Sequence, residues 1–142
     1  MTGLEIAFHA ARLADEKKGG DIVVYDLRGI SDVADYFVVA TAHSRLQIQA
    51  IAFGIEKSLK EQGILPLGAE GGNDSQWMLL DYVDAVLHVF SPEMRKYYGL
   101  ESLWGDAPKL EWNVPDIKKE AVQDSVTAAK PTKRKKRIAR KK

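Results

Sequence analysis

The 142-residue sequence predicts one α/β (α+β) domain, a mixed β-sheet with helices packed on it. Three observations carry this prediction: two amphipathic helical stretches that open on capping residues, a set of short β-branched runs between them, and a proline-initiated helix that follows the last run. Thr2 with Glu5 has the spacing of a capping box. Leu4, Ile6, Ala7, Phe8, Ala11, Leu13 and Ala14 follow at helical intervals until Lys17-Lys18-Gly19-Gly20. DIVVYDL (21–27) and YFVVATA (36–42) then read as strands, joined by the loop RGISDVAD with a turn at Gly29.

Ser44 with Gln47 repeats the capping spacing, and Leu46, Ile48, Ala50, Ile51, Ile55 and Leu59 form the stripe of a second helix that Gly63 stops. ILPLGAEG (64–71) reads as a strand, and Pro66, which has no N–H to give a neighbour, places it at a sheet edge. GGND (71–74) is a turn or exposed loop. WMLLDY and AVLHVF form a hairpin about Val83-Asp84. Ser91-Pro92-Glu93 supplies an N-cap hydroxyl, a proline at the first helical position and an acid that suits the helix dipole, so a third helix runs to Gly99. The order is α-β-β-α-β-β-β-α, and the domain is expected to cover residues 1–105. Residues 106–142 form a C-terminal extension, expected to be largely disordered from 113 and basic from 130.

The chain is long enough for a single core, and no apolar run reaches the roughly 20 residues of a bilayer span. With no basic-then-apolar leader, a soluble, unexported, cytoplasmic protein is expected. The absence of cysteine excludes disulfides, thiolate zinc sites and cysteine nucleophiles. A formal charge of +1 conceals an asymmetry: residues 130–142 hold nine of the 21 Lys and Arg, leaving residues 1–129 with 12 basic against 20 acidic side chains, a net of −8. An acidic body and a basic tail favour different electrostatic partners.

Enzyme chemistry finds few residues. Asp26, Asp32, Asp35, Asp81 and Asp84 lie near strand ends where carboxylates can hold magnesium, and the hydroxyls of Thr41 and Ser44 at a helix start suggest a nucleotidyltransferase. Such a site needs an Asp-x-Asp pair and a Gly-Ser helix start, whereas this chain has no such pair and reads Ala42-His43-Ser44. Asp26, Arg28 and Asp35 are better read as serving loop amides or one another. His9, His43 and His88 have no metal-ligand spacing, and no nucleophile elbow, P-loop or dinucleotide glycine pattern is present. No catalytic residue, metal or cofactor is assigned.

The stretch MRKYYGLESLW (94–104) remains. On one helix Met94, Tyr97 and Tyr98 cannot share a narrow stripe, because adjacent residues are about 100° apart. Aromatic, Arg and apolar side chains with charge at the rim have the composition of an interface centre. The same residues, Leu100, Leu103 and Trp104 above all, can instead wrap back and cap the sheet, and Trp77 poses the same choice.

DYFVVATAHSRLQIQAI, PLGAEGGNDSQWMLLDYVDAVLHVF and RKYYGLESLW, in that order and spacing, resemble the ribosomal silencing factor family, also called Iojap or RsfS. The resemblance covers about residues 4–104. It departs at Ala42-His43-Ser44, where the family has Gly-x-Ser, and in the basic extension, which is not a family feature. It implies a nucleotidyltransferase-like fold lacking the catalytic carboxylates, and a protein that is not an enzyme. It further implies binding to ribosomal protein L-fourteen of the large ribosomal subunit, a block on joining of the small subunit that lowers translation, or a role in large-subunit assembly in organelles, and a homodimer off the ribosome. The partner-contact role is carried onto Glu70, Trp77, Tyr98, Leu100, Glu101 and Trp104, with Trp77 and Leu100 as apolar anchors and the two glutamates as partners for basic groups. The family gives no guide to Lys133, Arg134, Lys135, Lys136 and Arg137. Their charge without aromatic neighbours suits contact with ribosomal RNA phosphates and not base readout.

Overall fold

The computed structural model describes residues 1–72 and 75–113. Its elements are α1 (Gly3–Glu16), β1 (Gly20–Asp26), β2 (Tyr36–Thr41), α2 (Arg45–Lys60), β3 (Gly68–Gly71), β4 (Trp77–Asp81), β5 (Ala85–Phe90), α3 (Pro92–Tyr98), α4 (Leu100–Leu103) and β6 (Lys109–Leu110). The expected capping signals act as local chemistry dictates. Thr2 and Glu5 exchange side-chain-to-backbone bonds in a closed capping box, the Ser44 hydroxyl accepts from the Gln47 N–H, and the Ser91 hydroxyl accepts from the Met94 N–H.

The sheet is mixed, in the order β3-β4-β5-β2-β1-β6. Only the β2/β5 pair is parallel, which the long crossover through α2, β3 and β4 allows; the other neighbours are antiparallel. Strand β3 takes the expected edge, though it begins at Gly68 and not before Pro66, whose missing N–H excludes it from the ladder. The β4–β5 hairpin turns at Val83, held with a positive φ of 74° while its N–H donates to the Asp81 carboxylate.

Period-2 alternation sends the strand side chains to two faces. Val24, Val38, Leu80, Leu87 and Val89 meet α1 and α2 in the larger core, together with Ile48, Ile51, Ile55 and Leu59. Tyr25, Phe37, Val39, Val86 and Phe90 point the other way, where α3, α4 and the segment after them lie.

One strand and one tryptophan extend the body beyond its expected end at 105. Strand β6 pairs with β1, and the Trp112 indole N–H donates to the Ile22 carbonyl at 3.2 Å. Residues 106–113 are therefore part of the packed domain. The disorder expected for the rest of the extension concerns residues 114–142, which lie outside the described residues, as do Asn73 and Asp74 of the expected loop.

Candidate functional site

Register places the candidate residues on the sheet face away from α1 and α2. Cross-strand partners share a face, so the pairs Glu70 with Leu79, Leu79 with His88, and Trp77 with Phe90 line up Glu70, Trp77, Leu79, His88 and Phe90 on one side. Rings run across this face in sequence. Trp104 lies 5.9 Å from Phe37, Phe37 is 4.8 Å from His88, and His88 stacks on Phe90 at 5.6 Å. Phe90 stacks on Tyr98 at 5.2 Å, and Tyr98 meets Trp77 edge-on at 6.4 Å. Such geometries are favourable beyond the area they bury, so the rings hold one another in place.

The loop that delivers Trp77 is constrained by Gly71. Its φ of 94° suits glycine, and a side chain there would collide with the Trp77 carbonyl. Ser91 completes the corner: its N–H donates to the Gln76 carbonyl and its hydroxyl to the Gln76 side-chain oxygen.

The stretch 94–104 is both core and surface, divided by residue. Leu100 and Trp104 are buried at 8% and 7% exposure in the second core cluster, while Tyr97, Tyr98 and Leu103 are exposed. Leu100, expected to be an apolar anchor for a partner, is thus an anchor for its own sheet, and Trp104 is likewise beneath the face. Gly99, in the left-handed conformation at φ 62°, ends α3 and resets the phase of the chain, which is why helical spacing could not sort these residues. Trp77 is half-buried, Tyr98 is 47% exposed, and Glu70 stands exposed on edge strand β3. Glu101 is exposed too, but it is not idle within the fold: its Oε2 lies 2.7 Å from both Nε and NH2 of Arg95.

Sequence reasoning passed over Leu79, and it marked the stretch that holds Arg95 and Tyr97 as interface-like without giving either residue a contact role. For Leu79 the signal was available, since it stands two residues from Trp77 in WMLLD and must share its face. Met94 and Tyr97 also border an open groove with Gln76 and Glu93. The five tail residues from Lys133 to Arg137 lie outside the described residues.

The residues weighed for an enzyme are occupied locally. Asp26 is buried and takes a two-point fork from Arg28, whose Nε and NH2 lie 2.9 and 2.8 Å from its two oxygens. The carboxyl of Asp35 is held above the usual range by partial burial and then by the charge of Asp84. At the start of α2, the Gln47 side chain spans from the His43 N–H to the Lys17 and Lys18 carbonyls. Among the described residues no three His, Asp or Glu side chains are grouped to hold a metal ion, and no helix is long and apolar enough to cross a membrane.

Comparison with known proteins agrees with this fold. The family model described as "Ribosomal silencing factor during starvation" matches residues 2–141, so the match runs on through the extension read above as foreign to the family. A ribosomal silencing factor RsfS from Bacillus subtilis is 46% identical over 99 residues, covering 70% of this chain and 84% of that protein. Its namesake from Halalkalibacterium halodurans is 41% identical over 111 residues, covering 78% and 95%. A crystal structure of a Chromobacterium violaceum protein superposes with a TM-score of 0.71 at 35% identity, covering 80% of this chain and 94% of that one. The chain belongs to the ribosomal silencing factor family.

Proposed function

We propose that the protein is an antiassociation factor that docks on the large ribosomal subunit through ribosomal protein L-fourteen and, by its bulk at the intersubunit face, keeps the small subunit from joining. Translation is thereby repressed without chemistry on any substrate. The observation that carries this reading is the half-covered aromatic face, where Trp77, Leu79, Tyr97 and Tyr98 are rimmed by Glu70, Glu93 and Glu101. Large aromatics at the centre of a surface with charge at its edge suit a protein partner, and the carboxylates suit a basic one. A body carrying −8 over residues 1–129 is steered toward a basic ribosomal protein and away from bare RNA.

Family membership supports a cytoplasmic location and a homodimer away from the ribosome as further parts of the same reading. The tail residues Lys133, Arg134, Lys135, Lys136 and Arg137 complete it by gripping ribosomal RNA phosphates beside the docked domain, raising its effective concentration without choosing the site.

The test is retention of the purified protein on separated large and small subunits across a salt series, beside a version ending at residue 129. Retention on the large subunit alone is expected, with the shortened chain binding more weakly and with a flatter salt dependence but keeping the same choice of subunit. Equal retention on both subunits, or on neither, would overturn the docking reading. An unchanged salt slope would remove the tail from it.

A further inference from the structure

Arg95 is a cation on a face whose exposed rim is acidic, yet it turns inward: its side chain is only 11% exposed. Nε donates to Glu101 Oε2, and NH1 donates to both the Asp21 carbonyl and the Thr41 hydroxyl, each at 2.7 Å. One guanidinium thus ties α3 and α4 to β1 and β2. The left-handed Gly99 separates the two helices, so a side-chain link, and not a continuous helix, couples Arg95 to Glu101.

Something must hold α4 down. The cluster beneath it contains two buried donors, the Tyr25 hydroxyl and the Trp104 indole N–H, that find no hydrogen-bond acceptor among the described residues. Each unpaired donor disfavours this arrangement. Tyr25 also sits in the field of the pair: after burial itself, Glu101 raises the pKa of its hydroxyl while Arg95 lowers it. Both contacts from Arg95 go to Oε2 and the Glu101 side chain is 47% exposed; among the described residues Oε1 has no hydrogen bond or ion pair.

We propose that Arg95 is the positioning residue of the docking face, clamping α4 to the sheet and fixing the Glu101 carboxylate so that its second oxygen meets a basic group of the partner. This rests on the docking reading above. Clamping also bears on Tyr98, which lies one helical turn along α3 from Arg95 and is stacked over Phe90. A lysine at position 95 would keep the charge but not the rigid fork that reaches three acceptors together.

The full-length chain is compared with Arg95→Lys, Glu101→Gln, the double variant, and Thr41→Val, which removes one leg of the clamp at constant charge. Large-subunit affinity and near-ultraviolet circular dichroism are measured at a temperature where each protein is folded. Each charged-pair single variant is expected to bind about tenfold more weakly, and the double variant no worse than either, because both break one unit. Thr41→Val is expected to bind about threefold more weakly, a neutral bond being worth less than a charged one. The aromatic dichroism of Arg95→Lys should change with the far-ultraviolet spectrum unaltered. Losses that multiply in the double variant would overturn the proposal. So would wild-type affinity in Thr41→Val together with any folded Arg95→Lys. If the wild-type chain fails to bind, the docking reading falls; identical near-ultraviolet spectra for wild type and Arg95→Lys would show independently that Arg95 positions nothing.

Discussion

The two faces of the sheet are built from the same strands and closed in opposite ways. On one, the 14-residue α1 and the 16-residue α2 lie across the sheet, with small Ala7, Ala10, Ala11 and Ala14 letting α1 approach closely and Ile48, Ile51, Ile55 and Leu59 filling the space under α2. On the other, the cover is the seven-residue α3, which buries none of its own residues, and the four-residue α4. The first face is finished inside the chain. The second leaves Trp77 and Leu79 half-buried and Tyr97, Tyr98 and Leu103 exposed. Large apolar side chains are exposed elsewhere too, Leu46 and Phe53 on the outer side of α2 and Leu65 and Leu67 before β3. Among the described residues, though, only the second face sets its exposed Tyr97 against Tyr98, and Tyr98 in turn against Trp77 and Phe90, and that connected aromatic surface is where the docking proposal rests.

The largest effect expected from breaking this comparison comes from the closed face. Ile51 is fully buried between α2 and the strands, so Ile51→Ala removes packing that nothing replaces and should cost about 2–5 kcal/mol in denaturant unfolding. Large-subunit binding, corrected for the folded fraction, should be unchanged. Lost binding in fully folded protein would mean that the helical face is also a contact surface.

Trp77→Ala reverses the pattern. As a half-buried aromatic at the centre of the open face it should weaken binding by about 2 kcal/mol, the range of an interface anchor, against a smaller loss of about 1 kcal/mol in stability. Calorimetric unfolding beside subunit binding decides it: equal losses in both would make Trp77 a core residue and erase the distinction between the faces.

How much of this was legible beforehand depended on the range of the interactions. Thr2 with Glu5, Ser44 with Gln47 and Ser91 with Met94 act within three residues, and the sequence displays them directly. Strand β6 has two residues and no signal of its own; it exists because β1 offers an edge, and Trp112 is placed by a carbonyl 90 positions earlier. The candidate site was half visible for the same reason. Glu70, Trp77 and Tyr98 do share a face, but the Arg95 clamp joins residues 74 and 54 positions apart, and reading Glu101 as a contact for a basic partner gave no sign of its ion pair with Arg95.

The smallest effect tests whether charge or geometry governs the open face. Asp35 stands just before β2, at the end of the sheet remote from Trp77, since register sets Tyr36 opposite Ala85 while Thr41, Phe90 and Trp77 align at the other end. Its carboxyl pKa is raised, by burial first and then by Asp84 and Asp26, with Arg28 opposing. A raised acid favours the protonated form in the fold, so its contribution to stability is present below the unfolded pKa and is lost as pH rises through the folded one. At neutral pH the ionised side chain is therefore a mild liability. Asp35→Asn should stabilise the protein by a few tenths of a kcal/mol at pH 7, kept small by solvent screening, and the advantage should fade as pH falls through the carboxylate range. Equal melting temperatures for the two proteins at pH 7 would contradict the sign. For docking, the substitution changes the body's charge by one unit without touching the aromatic face, so affinity should fall less than about twofold and only at low salt. A larger loss that survives high salt would place the far end of the sheet within the contact surface and dissolve the contrast between the two faces.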